Sequence, residues 1–420
     1  MSDKRTLVCV IAETRAHKIT WPSIKKNLLD ELNADLALCI STPDTYNYEN
    51  PFWKEAKYKW SVPEYDDWGQ AFDFAQNEIM RVGDMTDAPN WRRILLIKDQ
   101  WLGGIKGEDK HPGSAGILIY FRWHLLQKLR NENLLDKYDR FIITRSDFVW
   151  VSPHPPLELL DREKIWIPDG EAYGGVTDRH AVLSSKHLVP YLNIADPILV
   201  QTDRLFNEMK HYSEWNLEKF IYFMLGAQGL ADAINYFPYC MYSVREREGS
   251  TSWTRGVWSD ELGYYIKYLE EYASSIAVQK ILKDYGGWAA ILDEHSDFRF
   301  NAALQVGDGF FVVNEMGQSK ISTSSEYLQS AKVLHVDYGA TSAHVFLASP
   351  GLGNNSVRTL KEDVTMQSVS ENKYYIKSVH QNLYYAVNSV GFLELSSSPF
   401  VFVVRNRYKG VPRRNWVPCH

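Results

Sequence analysis

The segment KYDRFIITRSDFVWVSPHP carries the clearest indication of chemistry in this chain. Its apolar residues Ile142 and Ile143 lead straight into Arg145-Ser146-Asp147, after which apolar residues resume. A charged pair at the end of a buried strand is costly unless its charges are satisfied or used. One interpretation is an ion pair that brackets a loop. The other is a nucleotide-sugar site, because a diphosphate needs a metal held by carboxylate oxygens, or Arg and Lys in the metal's place.

A glycine-containing loop follows further along the chain, in IWIPDGEAYGGVTDRHAVLSS. Gly174 and Gly175 stand shortly before Asp178 and Arg179. Glycine permits a close approach to the backbone and unusual dihedral angles, and the two charged side chains could hydrogen-bond the hydroxyls of a sugar. An isolated Gly-Gly pair is more typical of a polar surface loop, so a binding role depends on its place after Asp147.

The segment SEWNLEKFIYFMLGAQGL predicts an amphipathic helix, since its apolar residues recur at i, i+3, i+4, i+7 and i+8. Ser213 or Asn216 is the expected N-cap. Glu214 and Glu218 then lie near the first turn, where the helix dipole favours carboxylates. That preference explains both residues without any function, so a catalytic role for either needs independent support.

Polar residues also follow other strands and aromatic runs. Arg15 comes just after the first predicted strand, where it could meet a nucleotide phosphate or base, and Asp44 follows the second strand in the same way. Arg245 and Arg255 come after the aromatic run FPYCMYSV. Sheets with alternating strands and helices bind ligands at the carboxyl ends of their strands. The histidines lack HxH or HExxH spacing and are interpreted as structural or surface residues: His17, His154, His180 and His187.

Strand-like and helix-like segments alternate through the first half of the chain, which predicts an α/β fold with a mostly parallel sheet and helices on both faces. The expected strands are Thr6–Ala12, Ala34–Ile40, Ile94–Lys98, Arg140–Val151 and Lys164–Ile167. Helices are expected over Thr20–Leu32 and after Ser114. Beyond about residue 300, short β-rich runs alternate with Gly, Asn and Ser turns. We therefore expect an α/β domain over 1–257, a helical connector over 258–300 and a β-rich domain over 301–420; a β-trefoil would need three hairpin repeats, which the sequence does not show clearly.

Composition excludes several classes of protein. The chain has 46 Lys and Arg against 52 Asp and Glu, a net charge of −6, which argues against a nucleic-acid-binding face spread over its length. Its four cysteines form no CxxC pair, so neither a zinc site nor a disulfide framework is indicated. The N-terminal segment has one short apolar run, too short for a signal peptide or membrane span. These features predict a cytoplasmic protein with no transmembrane segment and no nucleic-acid partner.

Taken in order, these motifs resemble the GT-A class of glycosyltransferases, particularly the bacterial and viral enzymes that synthesise surface polysaccharides such as capsule or lipopolysaccharide. That class carries a D-x-D motif at the end of a central strand, and the triplet here is Arg145-Ser146-Asp147. The second carboxylate matches and the first is an arginine. The downstream histidine that binds metal in many GT-A enzymes has no counterpart between His211 and His295. The resemblance implies a Mn²⁺ or Mg²⁺ ion at Asp147 that is weakly bound or dispensable, because arginine can itself hold diphosphate oxygens.

The resemblance also implies a reaction and roles for single residues. The protein would transfer a sugar from a nucleotide-diphosphate donor to a hydroxyl of a glycan or related acceptor, in polysaccharide or glycoprotein glycan synthesis. Inversion at the sugar carbon is expected, with retention left open. Glu218 is the first choice for the general base and Asp178 the second. Donor binding falls to Arg15, Asp44, Arg145, Asp147, Gly174, Gly175, Arg179, Arg245 and Arg255.

Two other functions stay open from the sequence. The altered D-x-D triplet and the absent histidine fit a non-catalytic carbohydrate-binding protein, in which the β-rich domain does the binding. A nucleotidyltransferase would need a glycine-rich basic loop after the first strand, and AETRAHK is a poor match. A strand-end polar residue contributes little packing, so Asp147→Ala is expected to abolish transfer and leave the fold intact.

Overall fold

The structure, a computed structural model, describes residues 5–99, 101–107, 111–248, 254–285, 287–288 and 292, followed by segments 309–312, 333–338, 343–349, 358–370, 373–387, 393–400, 402–403 and 405–406. It divides into two compact units. The first comprises Met1–Phe237 and Met241–Lys267, and the second Pro238–Cys240 and Tyr268–His420.

Eleven strands are described in the first part of the chain. They are β1 (Thr6–Ala12), β2 (Asp35–Ser41), β3 (Tyr58–Val62), β4 (Arg140–Thr144), β5 (Phe148–Trp150), β6 (Ile165–Asp169), β7 (His180–Ser184), β8 (Ile234–Pro238), β9 (Met241–Arg245), β10 (Val257–Ser259) and β11 (Tyr264–Ile266). Within the described residues, the central sheet has the order β3-β2-β1-β4-β7-β6-β8. β1 pairs in parallel with β2 and β4, and β2 with β3, whereas β7 runs antiparallel to β4 and β6. Five of these strands therefore run in one direction.

The helices of this part are α1 (His17–Ile24), α2 (Pro51–Glu55), α3 (Gly69–Val82), α4 (Ala115–Asn131), α5 (Ser185–Leu192), α6 (Asp196–Val200), α7 (Thr202–Met209) and α8 (Leu217–Ala227). α1 continues as a π-helical segment, Lys25–Asp30. Helix α4 packs on β1 and β2, and α5 on β4 and β7. Leu7, Val8, Cys9 and Val10 of β1 are all fully buried although successive side chains point to opposite faces, so both faces of the sheet are covered.

The chain leaves the central sheet between β4 and β5. β5 pairs with β9 in a second sheet of described order β10-β11-β9-β5, in which Phe148 lies opposite Ser243. The single strand predicted over Arg140–Val151 is therefore wrong. It is interrupted at Arg145-Ser146-Asp147, because the two halves belong to different sheets.

The strand predicted over Ile94–Lys98 is also wrong. Trp91–Leu96 forms a 3₁₀ helix instead. Trp91, Ile94 and Ile97 are buried while Arg92 and Arg93 are exposed, a spacing of three that matches the period of the 3₁₀ helix.

The second unit contains α9 (Leu269–Tyr285) and strands β12 (Gly309–Val312), β13 (Val333–Tyr338), β14 (Ala343–Ser349), β15 (Arg358–Ser370), β16 (Lys373–Ser378), β17 (Tyr384–Val387), β18 (Leu393–Ser396), β19 (Phe402–Val403) and β20 (Arg405–Asn406). Consecutive strands from β12 to β18 pair antiparallel. The trefoil arrangement considered for residues 301–420 falls largely outside the described residues.

The predicted fold class is confirmed: an α/β region with a mostly parallel sheet and covering helices, and a separate β-rich C-terminal region. The segment expected to be a helical connector begins differently, because β10 and β11 pair with β9 and the first unit extends to Lys267. In the part of the chain that is described, no helix has the length and apolar character needed to cross a membrane.

Candidate functional site

The turn between β4 and β5 is fixed from two sides. The Ser146 hydroxyl lies 2.9 Å from the Glu13 carbonyl oxygen and 3.2 Å from that of Arg15, and donates to this loop after β1. The backbone N–H of Val244 in β9 donates to the Asp147 carbonyl oxygen at 2.9 Å. The turn thus ties the carboxyl end of β1 to the second sheet, which places Asp147 between them.

The carboxylate of Asp147 is buried between two arginines. Arg145 donates from Nε to Oδ1 at 3.1 Å and from Nη2 to Oδ2 at 2.9 Å. Arg245 forms a second ion pair with Oδ2 through Nη1. Burial alone would raise the pKa of Asp147, but the charges of Arg145 and Arg245 hold that pKa well below its usual value. The Asp147 carboxylate is therefore ionised at neutral pH.

Lys267, just after β11, is a further cation of the site and is not among the residues predicted from the sequence. Its backbone N–H donates to the Ser243 carbonyl oxygen at 2.9 Å, and the residue is buried. Burial, together with the charges of Arg145 and Arg245, lowers the pKa of Lys267 to about 7, while the charge of Asp147 opposes this shift. A lysine inside the aromatic run YYIKY is the one sequence feature that could have drawn attention to it.

The glycine loop packs directly on the first turn of α8. Asn216 caps the helix by accepting from the Lys219 N–H at 2.8 Å, and its Nδ2 donates to the Tyr173 carbonyl oxygen at 3.0 Å. A Cβ atom added to Gly175 would lie 2.1 Å from the Glu218 carbonyl oxygen, and Gly174 has a φ of +87°. Backbone packing thus requires glycine at both positions, and contact of either with a donor stays a prediction.

This packing leaves Glu218 half-buried among other charged groups. Burial raises the pKa of Glu218 to about 8, with the nearby carboxylates of Asp178 and Glu171 adding to the effect and Arg179 opposing it. Arg179 Nη2 lies 3.8 Å from Glu171 Oε2, and its Nη1 donates to Ser243 Oγ at 3.2 Å. Glu218 therefore loses its proton at about pH 8, slightly above neutral pH.

Arg122 of α4 holds the loop that carries Asp178. It is fully buried, and its Nη2 donates to the Asp178 carbonyl oxygen at 2.9 Å. Its guanidinium lies 4.9 Å from the ring centroid of Tyr191. Arg122 is not among the residues predicted from the sequence, because a single arginine in a predicted helix is normally expected at the surface.

The carboxylates and cations of these two groups form one electrostatic network. Asp178 raises the pKa of Arg145, and Arg179 lowers that of Lys267. The structure thus brings together six residues that the sequence selected: Arg145, Asp147, Asp178, Arg179, Glu218 and Arg245.

Three other residues selected from the sequence are not among these six. Arg15 lines a small cleft of about 50 Å³ with Asp147, and its side chain is 38% exposed and ion-paired with Glu13. Asp44 is exposed in the loop after β2. Arg255 donates to the Arg247 carbonyl oxygen at 2.5 Å and lies over the Tyr265 ring, and neither contact involves Asp147.

The residues do not fit a conventional divalent-metal site at Asp147. Both of its carboxylate oxygens already accept hydrogen bonds from arginine. Within the described ranges, no group of three His, Cys, Asp or Glu side chains could hold a metal ion. A Mg²⁺ or Mn²⁺ site normally combines a carboxylate with further oxygen ligands, so the role predicted for Asp147 as a metal ligand stays a prediction.

Comparison with known proteins adds little to this geometry. No family model matches the sequence, and no curated protein matches it significantly. Among solved structures, apo mouse xyloside xylosyltransferase 1 matches with a TM-score of 0.32 and 10% identity, over 62% of this chain and 93% of that one. A TM-score this low identifies neither fold nor function, so the function has to be inferred from the site itself.

Proposed function

We propose that this chain is a glycosyltransferase that moves a sugar from a nucleotide-diphosphate sugar to a hydroxyl group of a glycan or related acceptor. The observation that carries the proposal is the network of buried charges at the carboxyl end of β4. It combines a cationic cluster around Asp147 with a carboxyl group, Glu218, whose pKa of about 8 suits a proton acceptor. Ligands of α/β sheets bind at this edge.

The cationic cluster supports donor binding without a metal. The cluster carries more positive than negative charge, since Asp147 offsets only part of the charge of Arg145, Arg245 and Lys267. Arg15 adds a partly exposed cation at the cleft. Guanidinium groups bind phosphate oxygens through paired hydrogen bonds. The charge that develops on the leaving nucleoside diphosphate would be stabilised by these fixed cations.

Lys267 would change its charge when the donor binds. In the free protein its pKa of about 7 leaves it half protonated near neutral pH. A diphosphate beside it favours the charged form and raises the pKa. Lys267 would therefore take up a proton when the diphosphate binds. The positive charge that it gains would then attract the diphosphate and strengthen binding.

Glu218 would remove the proton of the acceptor hydroxyl. Its backbone is held by the first turn of α8 and by the Val176 N–H, which lies 3.2 Å from the Glu218 carbonyl oxygen. A rigid backbone and a pKa close to working pH are the two properties a general base needs. Attack by the activated hydroxyl on the sugar carbon would pass through an oxocarbenium-like state and invert the configuration.

The place of the reaction in surface-polysaccharide or other glycan synthesis is part of the same proposal, and rests on the sequence motifs alone. The weak or dispensable Mn²⁺ or Mg²⁺ inferred from those motifs also belongs to it. The arginine contacts of Asp147 support a diphosphate site built from cations.

The direct test is binding of nucleotide sugars. A thermal shift panel of UDP-, GDP-, ADP- and dTDP-sugars, each with and without Mn²⁺, should show one donor class that stabilises the protein. Arg15→Ala should weaken that stabilisation about tenfold in apparent affinity without unfolding, because Arg15 is partly exposed. The control is Arg81→Ala, which removes an exposed arginine on α3. Absence of any donor response would refute the proposal.

A further inference from the structure

A groove lies between α7 and α8, away from the cationic cluster. It is lined by Asn207, His211, Tyr212, Tyr222, Phe223 and Gly226. Its volume is about 820 Å³, within the range of roughly 300–1,000 Å³ found for ligand pockets. Nothing in the proposed donor site or base accounts for it.

The groove is lined by exposed aromatic side chains that are held in place. Tyr212 is 64% and Tyr222 45% exposed. The Tyr212 ring meets Trp215 edge to face at 6.1 Å, and Trp215 meets Phe223 in the same way at 5.4 Å. Trp215 is anchored in turn, because its Nε1 donates to the Met209 carbonyl oxygen. Aromatic surface that is both exposed and rigid is typical of binding sites.

The polar residues of the groove carry no excess charge. Arg204 and Glu208 form an i,i+4 ion pair at 3.0 Å, so their charges offset each other. Asn207 and His211 offer hydrogen-bond donors and acceptors. A phosphorylated or otherwise strongly anionic ligand would find no cationic cluster here, whereas a sugar ring presents an apolar C–H face to an aromatic ring and hydroxyls to amide and imidazole groups.

The proposed base and two residues that line the groove lie on the same helix, α8. Glu218, Tyr222 and Gly226 are spaced at i, i+4 and i+8, so they follow one another along the same side of α8. With a rise of about 1.5 Å per residue, Tyr222 lies about 6 Å further along the axis than Glu218. A chain molecule whose end reaches Glu218 would therefore extend over Tyr222 towards Gly226.

We propose that the α7–α8 groove binds an uncharged oligosaccharide, which is the acceptor of the proposed transfer. The acceptor role rests on the proposed function. Binding of the oligosaccharide itself does not, so the two can fail separately. The end to be extended would reach Glu218, and the following sugar rings would stack on Tyr222 and Tyr212.

The test measures oligosaccharide binding in the absence of any nucleotide sugar. Saturation-transfer NMR and calorimetry would be run on the full chain with neutral linear hexasaccharides of glucose, galactose, mannose and xylose. We expect at least one to bind with a Kd of ~1 mM or tighter. Tyr222→Ala should weaken it about tenfold or more. Phe74→Ala, which removes an exposed aromatic from α3, should leave it unchanged.

A second variant separates binding from folding. A Cβ atom added to Gly226 would meet open space outside its own helix, so Gly226→Leu would project an apolar side chain into the groove. Replacing glycine within a helix also favours the folded state. Gly226→Leu should therefore keep or raise Tm while it abolishes oligosaccharide binding. If no hexasaccharide of the panel binds, or if binding survives both Tyr222→Ala and Gly226→Leu, the proposal is wrong.

Discussion

Replacement of Glu218 by glutamine tests the proposed base directly. Glutamine keeps the shape of the side chain and removes the proton acceptor, so donor affinity should be retained while kcat falls by ~10²–10⁴. Release of nucleoside diphosphate in the presence of acceptor is the measurement. The pH dependence adds a second criterion, because the base must be unprotonated to act.

The pKa of Glu218, about 8, sets the expected profile. Only ~10% of the carboxyl group is ionised at pH 7, and this fraction rises nearly tenfold between pH 6 and pH 7. Because donor binding also requires protonation of Lys267, whose pKa is about 7, kcat/KM should rise less steeply than this fraction, pass through a maximum between about pH 7 and 8 and fall at higher pH. Glu218→Gln should remove this rising limb together with the activity. A profile that is flat from pH 6 to 9 in the native protein would refute the assignment.

Asp178→Asn distinguishes the second candidate. Removing the Asp178 charge leaves Glu218 half-buried but takes away a neighbouring anion that raises its pKa. The rising limb should therefore move to lower pH by on the order of one unit, while the main loss appears as a higher KM for a sugar substrate. If Asp178→Asn instead loses turnover at full affinity and Glu218→Gln is nearly silent, the base is Asp178.

A matched control lies beside the helix start. Glu214 is a carboxylate two residues before the cap Asn216, and its side chain is 85% exposed. Glu214→Gln should leave both kcat and the pH profile unchanged, because the Glu214 side chain lies in solvent beside Lys219, away from the charges that act on Glu218. A loss in this variant equal to that of Glu218→Gln would point to a general effect of charge at α8.

Three further predictions follow from the same contacts. After removal of divalent ions with EDTA, activity should stay within about tenfold of its value in Mn²⁺, and a complete loss reversed by Mn²⁺ would show that other carboxylates complete a metal site. Lys267→Met should weaken donor binding by ~10–100-fold and abolish proton uptake on binding, measured by calorimetry in buffers of different ionisation enthalpy. The buried histidines His154 and His180, whose rings lie 5.7 Å apart, should limit acid stability. Burial lowers the pKa of His154 to about 3 and that of His180 well below its usual value, so below pH ~6.5 the unfolded chain binds protons that the folded chain does not. Between pH 6.5 and 4 the free energy of unfolding should fall by roughly 2–4 kcal/mol through His154 alone, and His154→Phe should remove that part and leave the part due to His180.

One expectation about Asp147 changes once its partners are known. As a strand-end residue it was expected to contribute little to packing, so that Asp147→Ala would leave the fold intact. The structure shows a buried carboxylate paired with Arg145 and Arg245. Removing one partner of a buried ion pair costs about 3–5 kcal/mol, because the remaining charges lose their compensation. Loss of activity in Asp147→Ala would therefore report instability as well as chemistry, which is why Arg15 is the better residue to change.

The sequence predicted strands well where burial on both faces left a continuous apolar run. The β1 strand, Thr6–Ala12, has the predicted bounds, and β2 differs by one residue at each end. Strand prediction failed where pairing with a distant segment determines where a strand begins and ends. Nothing in FIITRSDFVW distinguishes one long strand from two short strands in different sheets, because the pairing of Phe148 with Ser243 is set 95 residues away.

The site shows the same division between local and distant information. Asn216 as the cap of α8 could be predicted, since capping depends on residues within one turn. Lys267 could not, because its importance arises from burial beside arginines that lie far away in sequence. The two glycines were selected for contact with a ligand, and the structure provides another reason for them, the close packing of Gly175 against the Glu218 backbone.

Arg179 links the two halves of the proposed chemistry. Its charge lowers the pKa of Glu218 on one side and that of Lys267 on the other. A bound diphosphate would neutralise the cations around Asp147 and would bring negative charge close to Arg179. The positive potential at Glu218 would then be weaker. The pKa of Glu218 should therefore rise when the donor is bound, and the carboxylate, once ionised, becomes a stronger base at the moment it is needed. Glu218, half-buried against the glycine loop, and Arg145, which replaces the first D-x-D carboxylate, would then act together. The same group of charges determines the pKa of Glu218 and holds Arg145 at Asp147.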